Sequence, residues 1–526
     1  MTLTRLLLRR HRLLLGSWLL LLVGLGGTVW SYQHTYATDG QRRTAAELAR
    51  HNPATTLLYG RLPEPGTPAQ LFAWEMGAFV TILAAVLAVL VTVSLTRAAE
   101  DDGSLELVRG CGVAPHQPLR SASTVLAGVA TVLTVGCAAV PGLAAGHVDG
   151  ITWPGSVALG AVVGLTFLLV SALTAGLAQV AASAGQARLL GLAAVGAAFA
   201  LRAVADVRQV GTLNWFTPLG LRAAVQPYTG DRWWALLPAA LGAAALAGLA
   251  GLLSARREFG AGLLRRRHTR PGRLRLRGTV GLAARLGRAS LLAWTVAVAA
   301  IGTLFSAMGS GVVAQRRDGD IGGFLGAQLG AGDAAAGYLA YSGTVVGIVV
   351  CGYAVLSVLA GAHAERAGLT DVVLAAGVRR WAPLAAQFAV TVAGCAVILA
   401  ATGLLGALIT PVAIEGDDIA ARAFAYSVGQ WPAAVATAGC AVLLVGISTR
   451  LAGLAWLPLV ANAGLALLGD LLDVPRRVQD LGFFRHVPDI AGPQPDGGAL
   501  LILLGLGVTL SLAGVAAVNR RDVVTG

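Results

Sequence analysis

The stretch Phe72–Leu95, FAWEMGAFVTILAAVLAVLVTVSL, runs directly into Thr96–Leu119, TRAAEDDGSLELVRGCGVAPHQPL. The first part carries a single ionisable residue, Glu75, and exceeds the roughly 20 apolar residues that cross a hydrocarbon core about 30 Å thick. Lipid offers backbone amides no partners, so this part must be a helix. The second part opens with acids, as suits a helix N-terminus. It continues with an apolar group, Leu105, Leu107 and Val108, and closes on Gly-Val and a proline. A membrane helix followed by a short amphipathic segment on the membrane face is the expected outcome.

Working outward, similar apolar runs recur along the chain. They predict about twelve membrane helices, at 13–31, 72–95, 121–145, 155–183, 187–206, 234–254, 289–311, 341–362, 384–411, 429–448, 451–470 and 498–518. Charged residues make up 12% of the 526 residues, about half the share in a soluble protein. Mean hydropathy is +0.72. Alternating ten-residue strands of a membrane barrel are absent, so the fold class is an all-α polytopic membrane protein.

Arg5–Arg12 followed by an apolar run to Trp30 imitates a secretory signal, but the run is longer than the usual 7–15 residues. It is read as a retained first helix. All 39 basic residues are arginine, and they concentrate on the side of the predicted spans that holds both termini, which places the termini in the cytoplasm of a bacterial inner membrane. The densest run, Arg256–Arg288 with Arg265-Arg266-Arg267, reads as an orientation signal and an anchor for anionic lipid. No aromatic interleaving accompanies it, so nucleic acid is not an expected partner. The five cysteines, Cys111, Cys137, Cys351, Cys395 and Cys440, are scattered, and neither a disulfide framework nor a metal site is indicated.

The opening junction recurs. Glu100-x-x-Gly103-x-x-Glu106-Leu107-Val108 matches Glu365-x-x-Gly368-x-x-Asp371-Val372-Val373 without gaps, and the match continues through Gly112-Val113/Gly377-Val378 to Pro118-Leu119/Pro383-Leu384. Arg9-x-x-Arg12-x-x-Leu15-x-x-Trp18 matches Arg285-x-x-Arg288-x-x-Leu291-x-x-Trp294, and Arg256-Arg257-Glu258 matches Arg520-Arg521-Asp522. Three matches in one order argue for a duplicated six-helix unit: a first half at 1–254, an Arg-rich cytoplasmic linker at 255–288 and a second half at 289–526. Six crossings return the chain to the same side, so the repeats are parallel, as in several transporters.

Glu100, Gly103 and Glu106, three apart, would share one side of a helix. Glycine inside a helix costs about 1 kcal/mol, and its recurrence suggests the close approach of another backbone. The competing reading is a solvated connecting turn. Among charges within predicted spans, Glu75 is the candidate polar group for a central cavity, and Arg202 with Asp206 is a candidate intramembrane pair. The alternative is that all three are interfacial and hydrated. Trp153, Trp215, Trp233, Trp234 and Trp431 fall near predicted outer boundaries, where an aromatic belt is expected. No catalytic constellation is found.

The E-x-x-G-x-x-E/D-L/V segment after the second helix resembles the coupling loop of ABC-2 type exporter permeases. ARREFGAGLL (Ala255–Leu264), RASLLAWTVAVAAIGTLF (Arg288–Phe305), NWFTPLG (Asn214–Gly220), DRWW (Asp231–Trp234) and FFRHVPDIAG (Phe483–Gly492) resemble the fused twelve-helix branch described as polyketide antibiotic, or tetronasin-type, exporters. The resemblance implies two parallel six-helix ABC-2 type repeats and a multidrug efflux function. It also implies a separate ABC ATPase subunit, in two copies, docking at Glu100–Val113 and Glu365–Val378. A Gly-x-x-x-x-Gly-Lys-Ser/Thr phosphate loop is impossible without lysine. ATP and Mg would therefore be bound by that partner, and this chain would hold no cofactor.

The function expected is the permease of an ATP-driven exporter for hydrophobic or amphipathic compounds, working by alternating exposure of an apolar cavity between the halves. A proton-driven secondary carrier also fits two six-helix halves, but it needs protonatable groups near the midplane, where only Glu75, near an edge, is available. A non-transporting membrane scaffold would call for larger extracellular domains than Ser31–Leu71, the longest outer segment.

Overall fold

The computed structural model describes residues 3–35, 40, 42–43, 46, 53–257, 262, 278–317, 333–414, 416, 418–468, 475–487 and 497–521. Arg265-Arg266-Arg267, most of Ala255–Leu264, Glu258, Asp522 and the 488–492 end of FFRHVPDIAG lie outside the described residues. The described residues are helical, without strands, and the chain divides into two compact units, Met1–Arg270 and Pro271–Gly526.

In the first unit, α1 (Leu3–Leu25) passes through a 3-10 turn into α2 (Val29–Thr35), and α3 (Pro53–Tyr59) precedes α4 (Pro68–Leu95). The start of α4 is fixed by a capping box: Thr67 Oγ1 accepts from the Gln70 amide while the Gln70 side chain reaches back to the Thr67 amide. Pro68 sits at the first turn, where its missing N–H costs nothing. Next come α5 (Arg97–Asp101), α6 (Ser104–Gly110), α7 (Gln117–Gly142), α8 (Trp153–Val180), α9 (Ala184–Val207), α10 (Leu221–Val225) and α11 (Leu236–Arg256). Thr152 caps α8 and Ser183 caps α9, each accepting from a backbone amide three residues on. Helix α4 is the unit's axis. Ala84, Ala85, Leu87, Ala88, Val89 and Val91 are fully buried there against Leu22, Leu133 and Phe167 of its neighbours. Only Ala243 and Ala250 are buried on α11, so most of its apolar surface is left for lipid.

The second unit contains α12 (Gly278–Arg317), α13 (Ala334–Arg366), α14 (Leu369–Leu374), α15 (Ala382–Ala413), α16 (Ile419–Val428), α17 (Trp431–Ile447), α18 (Trp456–Leu468), α19 (Arg476–Gln479) and α20 (Gly497–Val518). Its core gathers Val350, Val355, Val358, Ile398, Leu399 and Val442. Helices α17 and α20 touch backbone to backbone. A Cβ on Gly439 or Gly446 would strike the carbonyl of Gly507 or Gly514, and the reciprocal Gly507 and Gly514 positions are as tight. Without water to drive apolar surfaces together, small residues that permit such approach are what holds membrane helices.

Among the described residues, eleven helices are long and apolar enough to cross a membrane. They overlie eleven of the twelve predicted spans. The twelfth, 451–470, is a 3-10 segment, Thr449–Ala455, followed by the 13 residues of α18, with 469–474 beyond the described residues. At 1.5 Å per residue, the described part of α18 is about 20 Å long. The boundary between the fourth and fifth spans falls at 181–183, where the chain turns extended at Ala181 and Ser183 caps the next helix.

Candidate functional site: a braced junction in each unit

The duplicated junction has the same construction in both units. After α4, the short α5 ends and Gly103 turns the chain with φ 74°; α6 then presents about two turns. After α13, Gly368 turns the chain with φ 71° and α14 follows. Gly112 and Gly377 repeat the device at the exits, with φ 82° and 78°. The sequence reading of Glu100, Gly103 and Glu106 as one side of one helix is corrected here, because the helix breaks at the glycine. Among the described residues nothing lies within 4 Å of a Cβ built on Gly103 or Gly368, so glycine serves there for its left-handed backbone and not for clearance.

The break sends the repeated acids of the pattern in different directions. Glu100 is turned inward, its side chain 3% exposed, and accepts from Arg97 at 3.0 Å and Arg257 at 2.7 Å. Arg97 also donates to the Ala182 carbonyl at 2.9 Å, and Asp101 accepts from the Ala184 amide, so the α8–α9 corner is tied in. In the second unit, Glu365 accepts from Arg521 at 2.8 Å. Glu100/Glu365 and Arg257/Arg521 are matched positions of the repeat. The end of each unit's last helix is therefore pinned to its junction by an equivalent ion pair. This bond could not be read from either motif alone.

Outward, the junctions show other residues. Leu107 is 76% exposed and Val372 is 72% exposed, with Glu106 exposed and Asp371, Val108 and Val373 partly so. The first junction has a further tie: Arg10 of α1 donates to Asp102 at 2.8 Å and to Ser104 Oγ at 3.0 Å. For Asp102, partial burial works to raise the pKa, but hydrogen bonds from Ser104 and Arg10 outweigh it and hold the carboxyl below its ordinary range. Arg97, Asp101 and Asp102 have Ala362, Arg366 and Ala367 at the matched positions, and Arg10 has Leu286. The second junction accordingly lacks these ties among the described residues.

Arg202 and Asp206 do meet, Nε to Oδ2 at 3.8 Å, with side chains only 4% and 5% exposed. They are buried, in contrast to the hydrated interfacial alternative. Arg202 also donates to the carbonyls of Leu57 and Leu58, and the amide of Asn214 donates to Asp206 at 2.9 Å. Sequence reasoning missed Arg222, whose guanidinium donates to the carbonyls of Tyr59 and Ala73 beside this pair. Only its nearness to NWFTPLG could have pointed to it. Glu75 is partly exposed on α4 and accepts from Tyr32 Oη at 2.7 Å. Trp153, Trp215, Trp233 and Trp234 are well exposed, and Trp215 stacks on Trp234 at 5.2 Å, as expected of a belt. The Trp431 indole donates to the Val392 carbonyl at 3.0 Å.

Each unit also contains a cleft among its first four long helices. In the first it passes Gly26, Gly77, Cys137 and Pro141, and in the second Gly302, Ser342, Thr402 and Gly406, which are matched positions. The first cleft is apolar, with Leu22, Phe72 and Val163; the second adds the hydroxyls of Ser306 and Ser427.

Long apolar helices in two units, each unit with a Glu–Arg pair at its junction, define a multi-pass, all-α membrane protein. Residues 276–518 match the family model described as the C-terminal domain of multidrug efflux system permease Rv1217c. The chain is 34% identical over 535 residues to the multidrug efflux system permease protein Rv1217c of Mycobacterium tuberculosis (strain ATCC 25618 / H37Rv), covering 99% of this chain and 94% of that protein. The chain belongs to this permease family, in keeping with its resemblance to ABC-2 type exporter permeases.

Proposed function

We propose that this chain is the membrane permease of an ATP-driven exporter for hydrophobic or amphipathic compounds, with a separate ABC ATPase, in two copies, supplying the work. The observation that carries the reading is the pair of short helices α6 and α14. Each displays an apolar side chain, Leu107 or Val372, to solvent beside an acid, Glu106 or Asp371, and each is braced from behind by a matched Glu–Arg pair. An exposed leucine on a rigid turn suits a docking knob. The brace suits force transmission, because a push on α6 passes through Glu100 and Arg257 into α11 and along α5 into α4. ATP and Mg belong to the partner, and both termini and both junctions lie in the cytoplasm of the bacterial inner membrane.

The test combines E106Q with D371N and, separately, Leu107→Ser with Val372→Ser. Both double variants are expected to insert and elute as the wild type does. Each should lose co-purifying ATPase and most efflux of a hydrophobic dye from cells. Undiminished efflux together with unchanged ATPase association would overturn the proposal.

A further inference from the structure

At the ends of α4 and α9 remote from the junction, the first unit encloses a cavity of about 230 Å³. A single water needs roughly 10–15 Å³ on this measure, so the space accepts a small molecule. Its polar lining includes Arg222, Asp206, Asn214 and Gln70, with Arg61, Gln209 and Gln226 also at the wall, and Trp74 with Ala223 supplies apolar wall. The Trp74 indole is held by its donation to the Gly60 carbonyl at 2.7 Å, so the wall is rigid.

The charges here do not balance. Arg202 and Arg222 share one carboxylate, Asp206. Arg222 feels the surplus: burial first, then Arg202, push its pKa down to about 10 against the opposing pull of Asp206. A buried cation without its counter-charge is costly, and an incoming anion relieves that cost. Asn214 makes a second demand. Its Nδ2 donates to Asp206, and because a carboxylate only accepts, this fixes the orientation of the amide. Asn214 Oδ1 is then a buried acceptor with no donor. The space therefore asks for a negative acceptor at Arg222 and a donor for Asn214, beside an apolar wall.

We propose that this cavity binds a small hydroxy acid, its carboxylate on Arg222, its hydroxyl donating to Asn214 Oδ1 and its apolar body along Trp74. The proposal stands apart from ATP coupling, since it rests on one unit and on none of the junction residues. Equilibrium dialysis of radiolabelled mandelate against the purified full-length permease in detergent tests it. Mandelate should bind saturably at one site per chain. Phenylacetate, which lacks the hydroxyl, should compete about tenfold more weakly, and neutral 1-phenylethane-1,2-diol should not compete. R222Q should weaken mandelate by tenfold or more. Because Arg222 also holds two backbone carbonyls, A223F provides the second arm: it fills the space, leaves every polar partner in place, and should abolish binding with an unchanged melting temperature. Equal competition by the diol, wild-type affinity in A223F, or no saturable binding would each overturn the proposal.

Discussion

At Gly103 and Gly368 the backbone turns with φ of 74° and 71°, in open space. An L-residue held there costs roughly 1–2 kcal/mol, and a β-branched one more. Gly103→Val and Gly368→Val should therefore leave membrane insertion intact while re-aiming α6 and α14. Dye efflux is expected to fall several-fold in either variant, with the melting temperature of the bundle changed little; wild-type efflux in both would remove the turn from the mechanism. Alanine should be milder, because its single methyl meets no neighbour. The recurrence of glycine at this spacing was visible in the chain. Its reason was not, since helical spacing alone cannot distinguish a glycine buried against a neighbour from one that ends the helix.

Between elements, the two junctions share a brace but differ in its backing. Removing Arg257 leaves Glu100 with Arg97 at 3.0 Å, whereas Arg521 is the cation that Glu365 meets, and Glu365 Oε1 already lacks a hydrogen bond. Breaking a buried pair strands the remaining charge, at about 3–5 kcal/mol when burial is complete. Both side chains of the second pair keep some exposure, 14% and 13%, so about 1–3 kcal/mol is expected. R521Q should then speed amide exchange in 369–374 by tenfold or more. R257Q should change 104–110 by less than threefold. Equal effects in the two units would mean that Arg97 adds nothing to the first brace. The repeat alignment paired the glutamates with one another and the arginines with one another. It could not say that the two sets touch, because that contact joins the second helix of a unit to its last.

For the whole molecule, the five cysteines provide a built-in reporter of orientation. Cys111 lies exposed at the end of α6, while Cys137, Cys351 and Cys395 are buried and Cys440 is partly so. A membrane-impermeant maleimide should label Cys111 in inverted vesicles and leave it untouched in right-side-out vesicles. Labelling from the opposite face would place the junctions outside and exclude an ATPase partner there.

The sequence by itself determined the class, the approximate helix positions and the recurrence of the junction motif. Lipid admits only internally bonded backbone, and apolar runs of this length leave the helix as the solution. It also marked Arg202 and Asp206, because charge in an apolar run is rare enough to notice. What only the tertiary structure decided are the contacts between distant segments. The inward turn of Glu100 and Glu365 onto Arg257 and Arg521, the outward turn of Leu107 and Val372, and the placing of Arg222 near the Arg202–Asp206 pair all depend on how helices pack. The physical reason is that hydrophobicity sets whether a segment enters the membrane, whereas close packing and the pairing of buried charge set which face it turns to its neighbours.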